Sequence, residues 1–180
     1  METFQRLETG SFAELLHSCI KNATFANAMQ EAIAAFPQYR SQIPFAAGKY
    51  TRTLVRKSHE FEIVATQWAP GALSPIHDHG ESRCWIVVLE GALEVESYER
   101  LDDGVEPVAK LERVFDTRVN VGELDHRLNW RELHRVRNVL PLNVYSLQLY
   151  APAQTTYTVV DPDTLHCRIQ SATYDSILSS

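Results

Sequence analysis

From Gly48 onward the chain is a succession of short segments rich in β-branched or alternating apolar residues, each closed by a turn signal, and this rhythm leaves few folds open. The segments read YTRTLV, FEIVATQW, SPIHDH, WIVVLEGALEVESY, VAKLERVF, LHRVRNVL and NVYSLQLYA. Between them stand APG at 69–71, EG at 90–91, LDDG at 101–104 and LP at 140–141. Side chains alternate across a strand with period two, so such runs predict strands joined by hairpin-length turns, and many in series predict an antiparallel sandwich or barrel. Ahead of Gly48 the period is helical. Phe12, Leu15, Leu16 and Cys19 recur at helical spacing behind an S-x-x-E capping box of Ser11 and Glu14. A second helix is expected from about Thr24, carrying Phe25, Met29, Ala32, Ile33 and Phe36, with PQYRSQIP ending it through its prolines.

At 180 residues and 44% apolar, the chain has the size of one compact domain with a sizeable core. A net charge of -6 and the lack of a sustained basic block argue against a nucleic-acid or anionic-membrane partner. METFQRLETG lacks a basic-then-apolar signal pattern and no apolar run reaches transmembrane length, so a cytoplasmic protein is expected. Cys19, Cys84 and Cys167 are odd in number, widely spaced and free of any CxxC, which suggests reduced thiols rather than a disulfide framework or a zinc knuckle. No feature of the sequence fixes an oligomeric state.

The histidines divide into two groups. A lone histidine is more often a hydrogen-bonded residue than a ligand, and His17, His59, His126 and His166 are read that way. His77 and His79 are two apart. If IHDH is strand, both project from one face and Asp78 from the other, which makes half a metal site. The run Gly71, His77, His79, Cys84, Gly91 resembles the first cupin motif, with Cys84 where that motif usually has glutamate. His134 and Asn138 resemble the end of the second cupin motif, although its upstream Gly and Pro pattern is missing. The resemblance covers roughly residues 48–152 and implies a mainly β double-stranded β-helix, or jelly-roll barrel. With it comes an expected organisation of one domain over 1–180: helices packed outside within about 1–47, the barrel over about 48–152 and a C-terminal extension over 153–180.

Four segments in order, YTRTLV, SPIHDHGESRCW, LHRVRN and SLQLYAP, resemble successive signatures of the cysteine dioxygenase family. The resemblance implies that His77, His79 and His134 ligate iron(II), that Arg52 receives the substrate carboxylate and that Tyr50 stands beside it. It further implies that Cys84 and Tyr150 match the pair joined by a thioether in part of the family. Three neutral imidazoles leave the full double charge on the metal, and a cation beside sulfur favours the thiolate. Sulfur can supply all four electrons that reduce dioxygen, so cysteine and O2 give a sulfinate without nicotinamide, flavin or oxoacid, and no dinucleotide motif is present. The guanidinium of Arg52 would favour an amino acid over a plain thiol.

One position departs from the family, which generally reads Ser-x-His-x-Tyr where this chain has Ser146, Gln148 and Tyr150. Period-two alternation keeps all three on one face, and an amide both donates and accepts, so a row of hydrogen bonds is expected to survive. An amide cannot take up a proton as imidazole does. The related mercaptopropionate dioxygenases usually carry glutamine at the Arg52 position and glycine at the Cys84 position, and both residues here favour cysteine. Two alternatives are retained: dioxygenation of another small thiol such as 3-mercaptopropionate, and a non-catalytic metal-binding cupin sensor.

Overall fold

The computed structural model describes residues 12–178, so Ser11 of the expected capping box lies outside the described residues. Helix α1 spans Phe12–Cys19 and α2 spans Ala23–Tyr39. Asn22 caps α2 by accepting from the N–H groups of Thr24 (2.9 Å) and Phe25 (3.2 Å), two donors that a helix start leaves unpaired. The expected stop is displaced. Pro37 lies inside α2, which continues to Tyr39 and runs into a 3-10 turn at Arg40–Gln42. Proline removes one donor from the helix. Burial of Phe36 and Tyr39, and a 2.9 Å hydrogen bond from the Tyr39 hydroxyl to the Ala32 carbonyl, hold the last turn together.

Twelve strands follow among the described residues: β1 (Tyr50–Lys57), β2 (Glu62–Trp68), β3 (Ile76–His77), β4 (Arg83–Glu90), β5 (Ala92–Arg100), β6 (Leu111–Asn120), β7 (Leu124–Arg127), β8 (Glu132–Arg137), β9 (Val144–Ala151), β10 (Thr156–Val160), β11 (Cys167–Ser171) and β12 (Ser176–Ile177). They form two six-stranded sheets, ordered β12-β1-β2-β9-β4-β7 and β11-β10-β3-β8-β5-β6. Val64, Ile86 and Tyr150 of the first sheet pack with Leu93, Val95 and Val136 of the second in one core cluster. The sheets therefore close on a shared interior as a double-stranded β-helix, with the helices outside, as the sequence predicts.

Strand β9 shows how the pattern sets the layers. Tyr145, Leu147, Leu149 and Ala151 join Leu16, Met29 and Phe36 in the cluster beneath the helices, whereas Val144 and Tyr150 belong to the interior cluster. Both faces of β2 and β9 are covered, so every residue of these strands is buried. Gly91 turns β4 into β5 at φ +81°, and a Cβ there would come within 2.7 Å of Val144 Cγ2. The segment after Ala151 enters both sheets: β10 pairs with β3, setting Val159 opposite His77, and β12 runs parallel to β1. No described helix is long and apolar enough to cross a membrane.

Candidate metal centre

His77 of β3 stands directly opposite His134 of β8 in the ladder, which fixes two imidazoles from the pairing alone. His79 arrives differently. The expected strand through IHDH ends at His77, and His79 occupies the turn that follows. Asp78 causes the bend: its Oδ1 accepts from Gly80 N (2.9 Å) and Thr158 N (2.7 Å), so its side chain is turned toward β10. Gly80 completes the turn at φ +60°, where a Cβ would meet the Thr156 carbonyl oxygen at 2.7 Å. The three rings nonetheless converge. Their centroids are 4.7 to 5.1 Å apart and one ligand atom from each lies within 4.8 Å of the others.

The chemistry of these nitrogens fits a metal. His77 Nδ1 lies 3.0 Å from the Pro75 carbonyl. A carbonyl only accepts, so the proton sits on Nδ1 and Nε2 keeps its lone pair. Burial lowers the His77 pKa to about 4 and holds His79 and His134 well below the ordinary imidazole range, with the neighbouring imidazoles adding repulsion. Neutral rings are the ligating form. Both ring nitrogens of His79 are buried without a hydrogen-bond partner. Leaving such groups unpaired costs about 1–3 kcal/mol each, and coordination to a divalent transition metal through one nitrogen would offset the cost at that atom.

Other residues singled out by the sequence border the same cavity. Arg52, Tyr50, Gln148 and Tyr150 line it together with His77 and His134. Arg52 lies on β1, which β12 covers; its Nη1 donates to the Thr173 carbonyl at 3.1 Å, and its guanidinium carbon is 5.7 Å from the rings of both Tyr150 and Tyr174. Its Nη2 is buried and unpartnered. The Tyr50 ring lies 4.9 Å from Trp68. Cys84 of β4 is paired with Tyr150 of β9 in the ladder, and burial raises the pKa of both thiol and phenol, so each keeps its proton. The Tyr150 ring is 5.8 Å from His79.

Ser146 and Gln148 make only part of the expected row. Gln148 Nε2 donates to Ser146 Oγ at 2.7 Å, but Gln148 Oε1 accepts from Thr66 Oγ1 at 2.7 Å, and no hydrogen bond joins Gln148 to Tyr150. Ser146 Oγ also accepts from Trp68 Nε1 at 2.8 Å. Several contributors escaped the sequence reading. Gln154 and Tyr157 reach the cavity from the segment after β9, and the Tyr157 ring is 5.8 Å from His77. Asp125 and Arg127, both fully buried on β7, stand behind His134. The alternating run TYTVV could have flagged Tyr157, whereas a four-residue strand reading LDHR carries no apolar pattern at all.

A double-stranded β-helix that gathers three histidines on its interior, His79 and His134 buried and His77 partly buried, defines a three-histidine cupin. Within that class the sequence is specific: the family model described as cysteine dioxygenase type I matches residues 8–161, and the chain belongs to this family. It is 30% identical over 159 residues to human cysteine dioxygenase type 1, covering 86% of this chain and 78% of that protein. The rat protein of the same name is 31% identical over 146 residues, covering 79% and 66%. Among solved structures, an uncharacterized conserved protein with a double-stranded β-helix domain from Klebsiella pneumoniae is similar, with a TM-score of 0.51 at 17% identity over 67% of this chain and 86% of that one. That likeness is one of fold.

Proposed function

We propose that this chain is an iron(II)-dependent thiol dioxygenase that converts L-cysteine and O2 to cysteine sulfinate. The observation that carries the reading is the unpartnered, buried Nη2 of Arg52 on the cavity that His77 and His134, two of the three neutral imidazoles, also line. A buried guanidinium arm without a hydrogen-bond partner is open to an acceptor, and a carboxylate meets it with charge-assisted hydrogen bonds. Membership of the cysteine dioxygenase family supports both the substrate class and the oxidant.

His77, His79 and His134 would hold the iron, which supplies the site for thiolate binding and for activating O2. The overall change is RSH + O2 to RSO2H, in which sulfur gives up all four electrons and both oxygen atoms remain on it. Arg52 would take the carboxylate, with its other arm anchored to the Thr173 carbonyl so that the guanidinium does not swing. Tyr50 and Tyr150 flank it as protonated phenols able to donate to the bound amino acid. Trp68, Ser146, Gln148 and Thr66 form a hydrogen-bonded wall that ties β2 to β9 and holds the cavity in shape. The ladder pairing of Cys84 with Tyr150 supports a thioether between them, a coupling that removes two hydrogens overall with O2 as the oxidant at hand. Such a link would pin the phenol and lower the entropy of holding it in place.

The test is oxygen uptake by the iron(II)-loaded protein with L-cysteine, 3-mercaptopropionate and cysteamine in turn, with products identified by mass. A preference for cysteine and a mass gain of two oxygens support the reading. Uptake with 3-mercaptopropionate in preference to cysteine moves the assignment to the other small thiol that Gln148 suggests, and a loaded protein that consumes no oxygen with any of the three turns it to a binding cupin.

A further inference from the structure

Behind His134 the barrel buries a pair of full charges that the proposed reaction does not use. Asp125 and Arg127 lie two apart on β7 and so share a face, at 0% and 1% exposure. Arg127 Nη1 donates to Asp125 Oδ1 at 2.8 Å and to the His126 carbonyl at 2.7 Å, and Nη2 donates to Ser97 Oγ at 2.8 Å. Ser97 is itself the ladder partner of His134, so one register fixes both the anchor and the imidazole. With Oδ1 engaged, Asp125 Oδ2 is left buried, without a hydrogen bond, 3.4 Å from His134 Nδ1, which is also buried and without one.

Stability gives no reason for this arrangement. Taking an ion pair out of water costs several kcal/mol per ion, and apolar side chains of the same volume often do as well or better. What apolar residues cannot supply is an acceptor for a ring N–H. A metal-ligating histidine commonly donates its second N–H to a carboxylate or a carbonyl, which fixes the tautomer and aims the other nitrogen. His77 has the Pro75 carbonyl for this purpose at 3.0 Å. For His134 the facing acceptor is Asp125 Oδ2, 3.4 Å from Nδ1.

We propose that Asp125, clamped by Arg127 and Ser97, is a positioning residue for His134, accepting its Nδ1–H so that Nε2 presents its lone pair to the site shared with His77 and His79. The role of Arg127 is to fix which carboxylate oxygen is free and to offset the carboxylate charge, so that the metal centre is supported without being neutralised. The inference rests on the reading of the three histidines as metal ligands.

Asp125→Asn isolates the effect, because the change keeps the volume but not the choice of tautomer. Arg127 needs an acceptor, so the amide oxygen faces Arg127 and the amide NH2 faces His134. Nδ1 is then forced to accept and the proton moves to Nε2, the ligating nitrogen. Two measurements read this. Nitrogen-15 spectra of the metal-free proteins report the His134 tautomer: Nδ1–H in the wild type and Nε2–H in D125N. Anaerobic competition for iron(II) against a chromogenic chelator reports affinity, which falls about 10- to 100-fold in D125N. Unchanged affinity and tautomer in a folded D125N overturn the proposal while leaving the metal reading intact. A wild-type protein that takes up no stoichiometric iron(II) overturns both. Should D125N not fold, Ser97→Ala carries the test: it removes the acceptor of Arg127 Nη2 without touching the carboxylate, so a several-fold loss of iron(II) affinity together with a smaller Nδ1–H fraction at His134 supports the proposal, and unchanged affinity or an unchanged tautomer overturns it.

Discussion

Replacing Arg52 with glutamine is the sharpest perturbation of the proposed activity, since it removes one charge from the lining of the cavity. In the wild type, Nη1 is spoken for by the Thr173 carbonyl at 3.1 Å, while Nη2 is buried without a partner. A substrate carboxylate meeting that free arm gains a hydrogen bond to a charged donor, worth about 1.5–3 kcal/mol net. At about 1.4 kcal/mol per factor of ten, Arg52→Gln lowers kcat/KM for L-cysteine by roughly 10- to 150-fold. Cysteamine has the same thiol and amine but no carboxylate, so its kcat/KM stays within about threefold of the wild-type value. The assay is initial-rate oxygen uptake over a range of each thiol, with iron content and melting temperature measured on both proteins. A parallel fall for the two thiols would mean that Arg52 supports the cavity rather than the carboxylate, and an unchanged rate for both would refute the assignment outright.

Other expectations follow from the same geometry. Cys84→Gly removes any thioether to Tyr150 but leaves the three imidazoles in place, so turnover is reduced and measurable; complete loss of activity with iron still bound contradicts the modest role given to the link. The metal-free protein loses stability as pH falls from about 6.5 toward about 4. His77 is held to about 4 by burial, so the unfolded chain takes the proton first and that difference amounts to roughly 3 kcal/mol for this one residue, with His79 and His134 acting in the same direction. Urea titrations across this range check it, and stability that stays flat over this window counts against buried neutral histidines. Gly91→Ala destabilises by about 1–3 kcal/mol through left-handed strain and overlap with Val144 Cγ2 at 2.7 Å, read as a lower denaturation midpoint at unchanged slope.

What the sequence displays is whatever repeats at a local period. The alternation in NVYSLQLYA predicts both faces of β9, and Leu147 and Leu149 do face the helices while Tyr150 faces the interior. The hairpin at Gly91 is legible for the same reason, since a turn residue sits between two apolar runs. The His77 and His79 pair is legible as chemistry, but its geometry is not. The strand reading places both rings on one face by pleat, whereas they converge because Asp78 bends the chain and Gly80 admits the turn. Long-range contributors leave no local mark. Nothing near LDHR says that Asp125 will meet a histidine nine residues on, and nothing in Thr173 says that its carbonyl will hold Arg52. Pro37 shows the converse, a strong local stop signal overruled by the burial of Phe36 and Tyr39 just around it.

Gln148 carries this point into function. An amide can donate and accept, so from the sequence it could extend a row from Ser146 to Tyr150. In the fold both of its functions are taken by other partners, Ser146 on one side and Thr66 of the neighbouring strand on the other, each at 2.7 Å. The row therefore turns away from Tyr150 and becomes a cross-strand tie between β2 and β9. What remains to hold the phenol is its ladder partner Cys84, the Arg52 guanidinium 5.7 Å from its ring, the His79 ring at 5.8 Å and the interior cluster around it. A site that gives up the hydrogen bond from residue 148 relies more heavily on those contacts. Arg52 and Cys84, which face the phenol, are thus the positions where substitution bears most directly on how Tyr150 sits in the cavity, while a change at Gln148 acts first on the wall formed with Thr66, Ser146 and Trp68.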